Sequence, residues 1–147
     1  MFKSLLSRLR APEPNALTAP DAETALAALL VRIARADNHY DEAEQSRIDR
    51  VLVARGGLGP HEAAELRARA EDLEAHAPDT VRFTRTLKNL IALEDRIGVL
   101  EALWEVALAD GMRDAEEDAQ IRLVANLLGI NDRSSALARR RVKARIG

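Results

Sequence analysis

The chain has 147 residues, 47% hydrophobic and 31% charged, which is the balance of one globular domain with a sizeable core and not of a disordered segment. It has no cysteine, which excludes disulfides, zinc–thiolate centres and thiol nucleophiles. The net charge of −2 conceals a segregation: eight of the 22 bases lie in residues 1–10 and 139–147, which hold no acid, so residues 11–138 are near −10 and offer no cationic face to duplex nucleic acid.

Phe2, Leu5, Leu6 and Leu9 fall at i, i+3, i+4 and i+7, which predicts a basic amphipathic helix over residues 1–10 with Lys3 and Arg8 off its apolar face. The segment has no continuous apolar stretch and is not read as a secretory signal. No apolar run approaches the roughly 20 residues of a membrane span, so the expected compartment is the cytoplasm. Pro12, Pro14 and Pro20 break helix and mark a linker over residues 11–21.

From residue 22 the pattern is helical almost throughout. Leu26, Leu29, Leu30 and Ile33 form one apolar stripe, and Ile48, Val51 and Leu52 the next. Gly56-Gly57 and Gly59-Pro60 stop that helix and start another over about 60–76, with Leu66, Ala70 and Leu73 inward and Pro78 beyond its end. Phe83, Leu87 and Leu90 mark a further helix, then Ile97, Leu100, Leu103, Trp104 and Ala107 another. Ile121, Val124 and Leu128 mark one that ends near Gly129, and Asn131 or Asp132 caps a last helix running into a basic tail at 139–147. No hairpin or alternating strand competes with this reading. The expected fold is all-α, a compact bundle of about seven short helices over residues 22–138.

Two stretches match at an offset of 73 residues. Leu26 to Glu44 and Val99 to Glu117 each read as an amphipathic helix ending in Ala-x-Ala-Asp, three linker residues, then Asp-x-x-Glu opening a second helix. Ile48 corresponds to Ile121 and Val51 to Val124. Neither helix–acidic loop–helix unit can bury its stripe alone, so the two are expected to pack face to face about a pseudo-twofold axis.

The string Ala107-Leu-Ala-Asp-Gly-Met-Arg-Asp-Ala-Glu-Glu117, with Leu103-Trp-Glu-Val106 before it and Ile121-Arg-Leu-Val-Ala-Asn-Leu-Leu-Gly129 after it, resembles the tellurite-resistance TerB family. So does Arg82-Phe-Thr-Arg85, and the resemblance covers about residues 22–138. It implies a compact helical bundle, a place in a tellurite or other stress-response system, and a divalent-cation site in the acidic residues of the two helix–helix loops.

The candidate metal ligands are Asp37, Asp41, Glu44, Asp110, Asp114 and Glu117. Asp41 with Glu44, and Asp114 with Glu117, also have the spacing of capping boxes, which accounts for four of them without a ligand. Asp37 and Asp110 are different. Each stands at the C-terminal end of a helix, where the macrodipole disfavours an anion, so an arginine or a metal ion must compensate. Oxygen-only ligands suit calcium, magnesium or manganese. The loop is too short for an EF-hand and lacks its glycine and its final glutamate. His39 lies in the first loop and could add a nitrogen ligand, but Met112 holds the matching place in the second. His61-Glu-Ala-Ala-Glu65 lacks the second histidine of a zinc helix, and Trp104 reads as core.

No nucleophile–base set and no phosphate loop is legible, so the chain is read as non-enzymatic and without an organic cofactor. At 3% aromatics it lacks a base-stacking platform as well. Two functions remain open: a stress-response module binding divalent cations, or an adaptor docking a protein partner through its acidic surface. The partner is expected to belong to a membrane-associated complex, with residues 1–10 making peripheral contact with an anionic membrane or a partner groove.

Overall fold

The computed structural model of the chain describes residues 21–36, 40–77, 80–108 and 115–146. Among these it has seven helices and no strand: α1 (Ala22–Arg35), α2 (Glu42–Gly56), α3 (Pro60–His76), α4 (Val81–Leu90), α5 (Leu93–Leu108), α6 (Ala115–Leu127) and α7 (Asp132–Ile146). The all-α expectation holds. The expected amphipathic helix over 1–10 and most of the proline linker lie outside the described residues.

Helix ends fall where the local chemistry places them. The Asp21 carboxylate caps α1 by accepting the Thr24 N–H at 2.7 Å. Gly57 closes α2 in the left-handed region at φ 67°, where only glycine sits without strain, and Pro60 opens α3 at its first turn. The Glu62 carboxylate reaches back to accept the Gly59 N–H at 2.9 Å. Gly129, at φ 77°, ends α6 in a Schellman turn in which the Ile130 N–H donates to the Ala125 carbonyl at 2.9 Å. Asn131, one residue ahead of Asp132, is the cap of α7, its Oδ1 accepting the Ser134 N–H at 2.8 Å.

α1 is the centre of the bundle. Ala25 to Val31 are all buried, so this stretch of the helix is apolar on every face, and α1 touches α2, α3, α4, α5 and α6. α5 is the second hub, with Val99 to Trp104 buried, and α7 lies along it through Ala138 and Val142. The stripes read from the sequence are core: Leu30, Ile33, Ile48, Leu66, Phe83, Leu87, Leu103, Ile121 and Val124 are buried. Leu90 is the departure. It is the last residue of α4 and is 43% exposed, because the chain turns away before another helix can cover it. Leu73 is only partly buried against the core.

Burial repeats at the offset of 73. Leu30 with Leu103, Ile33 with Val106, Ala34 with Ala107, Ile48 with Ile121 and Val51 with Val124 are all core pairs. Residues 139–146, set apart in the sequence by their charge, continue α7, because Val142 buries completely and Arg141 and Arg145 find acids on α5.

Candidate functional site

The acidic loops follow α1 and α5, the two most buried helices. Asp41 is exposed and caps α2, its Oδ1 accepting the Glu44 N–H at 3.0 Å. Glu44 and Glu117 occupy equivalent first-turn positions on α2 and α6, and both are buried, with 9% and 7% of their surface exposed. Burying a carboxylate costs free energy unless partners replace its hydration, and both Glu44 and Glu117 make polar interactions within the protein. Asp37, Asp110 and Asp114, like His39, lie outside the described residues. Among the described residues no group of three or more His, Asp or Glu side chains is arranged to hold a metal ion.

The two loops differ in the charges that flank them. Arg32 and Arg35 stand in the last turn of α1, the favourable end for a cation. Both are held by α3. The Arg32 Nε donates to Glu74 Oε2 at 2.9 Å and its Nη2 to the Ala77 carbonyl at 2.8 Å, while Arg35 pairs with the other oxygen of Glu74. The Arg35 guanidinium also lies 4.7 Å from the Tyr40 ring centre. The Tyr40 hydroxyl donates to Glu71, which pairs with Arg67 at 2.9 Å, and Arg67 with Asp49 at 2.7 Å. Burial pushes the Tyr40 phenol above its ordinary value, and its hydrogen bond to the Glu71 carboxylate pushes it further. The hydrogen bond to Asp49 raises the Arg67 guanidinium. By contrast, the last turn of α5 carries no base.

A second charged cluster was not legible in the sequence. Glu101 sits on α5 among core residues and is 3% exposed. It accepts from Arg141 Nε at 2.8 Å and lies 3.3 Å from Arg145 Nη2 and 3.7 Å from Arg55 Nη2. Glu105, one turn on, pairs with Arg55 and with Arg145. The available signal was a spacing: acids at i and i+4 on α5, bases at i and i+4 on α7.

The remaining motifs are helix surface or core. His61 is a surface helix histidine beside Glu65, and His76 Nδ1 lies 2.8 Å from the Asp72 carbonyl on the exposed face of α3. In Arg82-Phe-Thr-Arg85 the middle pair is buried, Thr84 Oγ1 donating to the Thr80 carbonyl at 3.2 Å, and both arginines are exposed. Trp104 is 4% exposed, as its core reading requires. No helix among the described residues is long and apolar enough to cross a membrane.

Compared with protein families, residues 23–140 match the family described as tellurite resistance protein TerB. Neither the curated proteins nor the solved structures yielded a match.

Proposed function

The chain belongs to the TerB family, and from that premise we propose that it is a non-catalytic stress-response module whose two acidic helix–helix loops bind divalent cations. The observation that carries the reading is the paired burial of Glu44 and Glu117, 73 residues apart, each one turn after an N-cap aspartate position. Two carboxylates drawn inward at equivalent places suit a site that faces the protein side of each loop. Asp37, Asp41 and Glu44 form one half, and Asp110, Asp114 and Glu117 the other. A carboxylate offers about four lone-pair sites, so Asp41 caps α2 and still presents oxygen to an ion.

Six carboxylates around one divalent ion would leave a large uncompensated charge. Two ions, one per loop, are therefore the better arrangement, with water completing each coordination sphere and affinity modest. Calcium, manganese and magnesium are the ions this oxygen set suits. The flanking charges do not rank the halves: Arg32 and Arg35 end α1 but both pair with Glu74, and the second loop's sequence carries its own base, Arg113.

Calorimetry with the three ions on wild type, Asp37→Asn and Asp110→Asn tests this. We expect Asp110→Asn to abolish one binding event while stability without metal holds or rises slightly, because an anion leaves a helix C-terminus. The opposite pattern, in which both variants destabilise the metal-free protein and no ion raises the melting temperature of the wild type, removes the metal reading. It would leave an adaptor that docks a protein partner through its acidic surface.

A further inference from the structure

We propose that the cleft between α5, α6 and α7 is a binding site for a small carboxylate. It is separate from the acidic loops and stands whether or not they bind metal. The cleft has a volume of about 600 Å³, ample for a small organic ligand, and Trp104, Asp118, Arg122, Asp132, Ser135 and Arg139 are among the residues that line it.

Two of these residues carry an unmet need. The Trp104 indole N–H and the Arg139 Nε–H are both buried, and neither has a hydrogen-bond partner among the described residues. A buried donor left unpaired is costly, and two adjacent ones are rare in a folded protein. They are adjacent because the Arg139 guanidinium lies 5.5 Å from the Trp104 ring centre, stacked on the indole. Indole and guanidinium groups donate and never accept, so what satisfies them must bring acceptor oxygens. Both residues line the cleft, and turning Arg139 toward a ligand breaks no hydrogen bond at its Nε, although it gives up the stack on the indole.

Charge narrows the ligand. Arg122 and Arg139 are balanced at this cleft by Asp118 and Asp132. A single negative charge shared between the indole N–H and the Arg139 fork meets less repulsion from the two aspartates than a phosphate dianion does. A carboxylate also matches the planar fork of a guanidinium, which binds two oxygens at once.

The experiment uses a property of the composition. Trp104 is the chain's one tryptophan, so a single indole N–H resonance and a single emission band report on the cleft. The full-length protein is titrated with propionate, with propionamide as the neutral isostere, and with inorganic phosphate, all at constant ionic strength. We expect propionate to shift the indole resonance saturably and to bind at least roughly tenfold more tightly than the other two, the margin of one charge-assisted hydrogen bond. Arg139→Lys keeps the charge, loses the fork, and should weaken propionate binding by a similar factor. Trp104→Phe keeps an aromatic ring, though a smaller one, and loses the donor, and calorimetry reads the same loss there without the reporter. An equal response to propionamide would reduce the cleft to an apolar pocket, and a stronger one to phosphate would overturn the ligand class. An indole resonance that propionate leaves in place would mean that the two donors are met by solvent and that no site exists.

Discussion

Replacing Glu101 with glutamine tests whether the α5–α7 contact rests on a buried charge. The wild-type carboxylate is 3% exposed and faces Arg141, Arg145 and Arg55 at 2.8, 3.3 and 3.7 Å. Glutamine keeps the shape and one acceptor but turns an NH₂ toward guanidinium donors. Removing one partner of a buried ion pair costs about 3–5 kcal/mol. The lower end applies here, because Arg141 and Arg145 are 49% and 43% exposed and turn to water, while Arg55 keeps Glu105. A loss of about 3 kcal/mol is expected, which lowers Tm by roughly 6–12 °C in a domain of this size. Urea unfolding and thermal melts followed by far-UV circular dichroism measure it. Arg141→Gln is the control, since that partner is half in water and its loss should cost only about 1 kcal/mol. Added salt should leave the larger effect nearly unchanged and shrink the smaller one. If Glu101→Gln cost no more than Arg141→Gln, the cluster would be a solvated ion pair and the reasoning would fail.

Two further perturbations follow from single residues. Tyr40 is the chain's one tyrosine, so tyrosinate absorbance titrates it alone, and its midpoint should lie above the ordinary value near 10. The folded protein favours the neutral phenol, so its contribution to stability is complete below pH 10 and is lost as pH rises through the raised value; Tyr40→Phe should remove that alkaline loss, and a midpoint at 10 would refute the burial argument. Gly129→Ala should cost about 1–2 kcal/mol, since φ 77° disfavours any Cβ and the added methyl meets Arg96 Nη1 at 3.4 Å. Gly129→Asn, which tolerates the left-handed region, should cost less by the same melts.

The bundle was legible because its signals are local. Gly57, Pro60 and Gly129 act through their own backbone, and the stripes of α1 and α6 through a period of 3.6 residues. Leu90 fooled the pattern because periodicity marks a face without saying where the neighbouring helix stops. Glu101 was unreadable for a different reason. Its burial needs Arg55, Arg141 and Arg145, which are at least 40 residues away in the chain, and the i, i+4 spacing of Glu101 with Glu105 does not say which bases meet it. The acidic loops were legible as a repeated motif, and the inward placement of Glu44 and Glu117 was not, because capping-box spacing is equally met by a side chain in water. Trp104 was read correctly as core, but the stacked Arg139 is 35 residues on, and only the fold brings the two together.

The solvent-free surroundings of α1 bear on how the protein is made. Residues 25–31 offer water no polar side chain, and the helices that enclose them extend to Leu127. At about 5–20 residues per second, the roughly 90 residues still to be synthesised after α1 take about 5–20 s. During that interval α1 is only partly enclosed, α2 to α5 arriving in turn before α6 completes its surroundings. The enclosure of α1 is complete only once α6 has been made, so nascent chains stalled before α6 should be the form that chaperones hold and that aggregates when they do not.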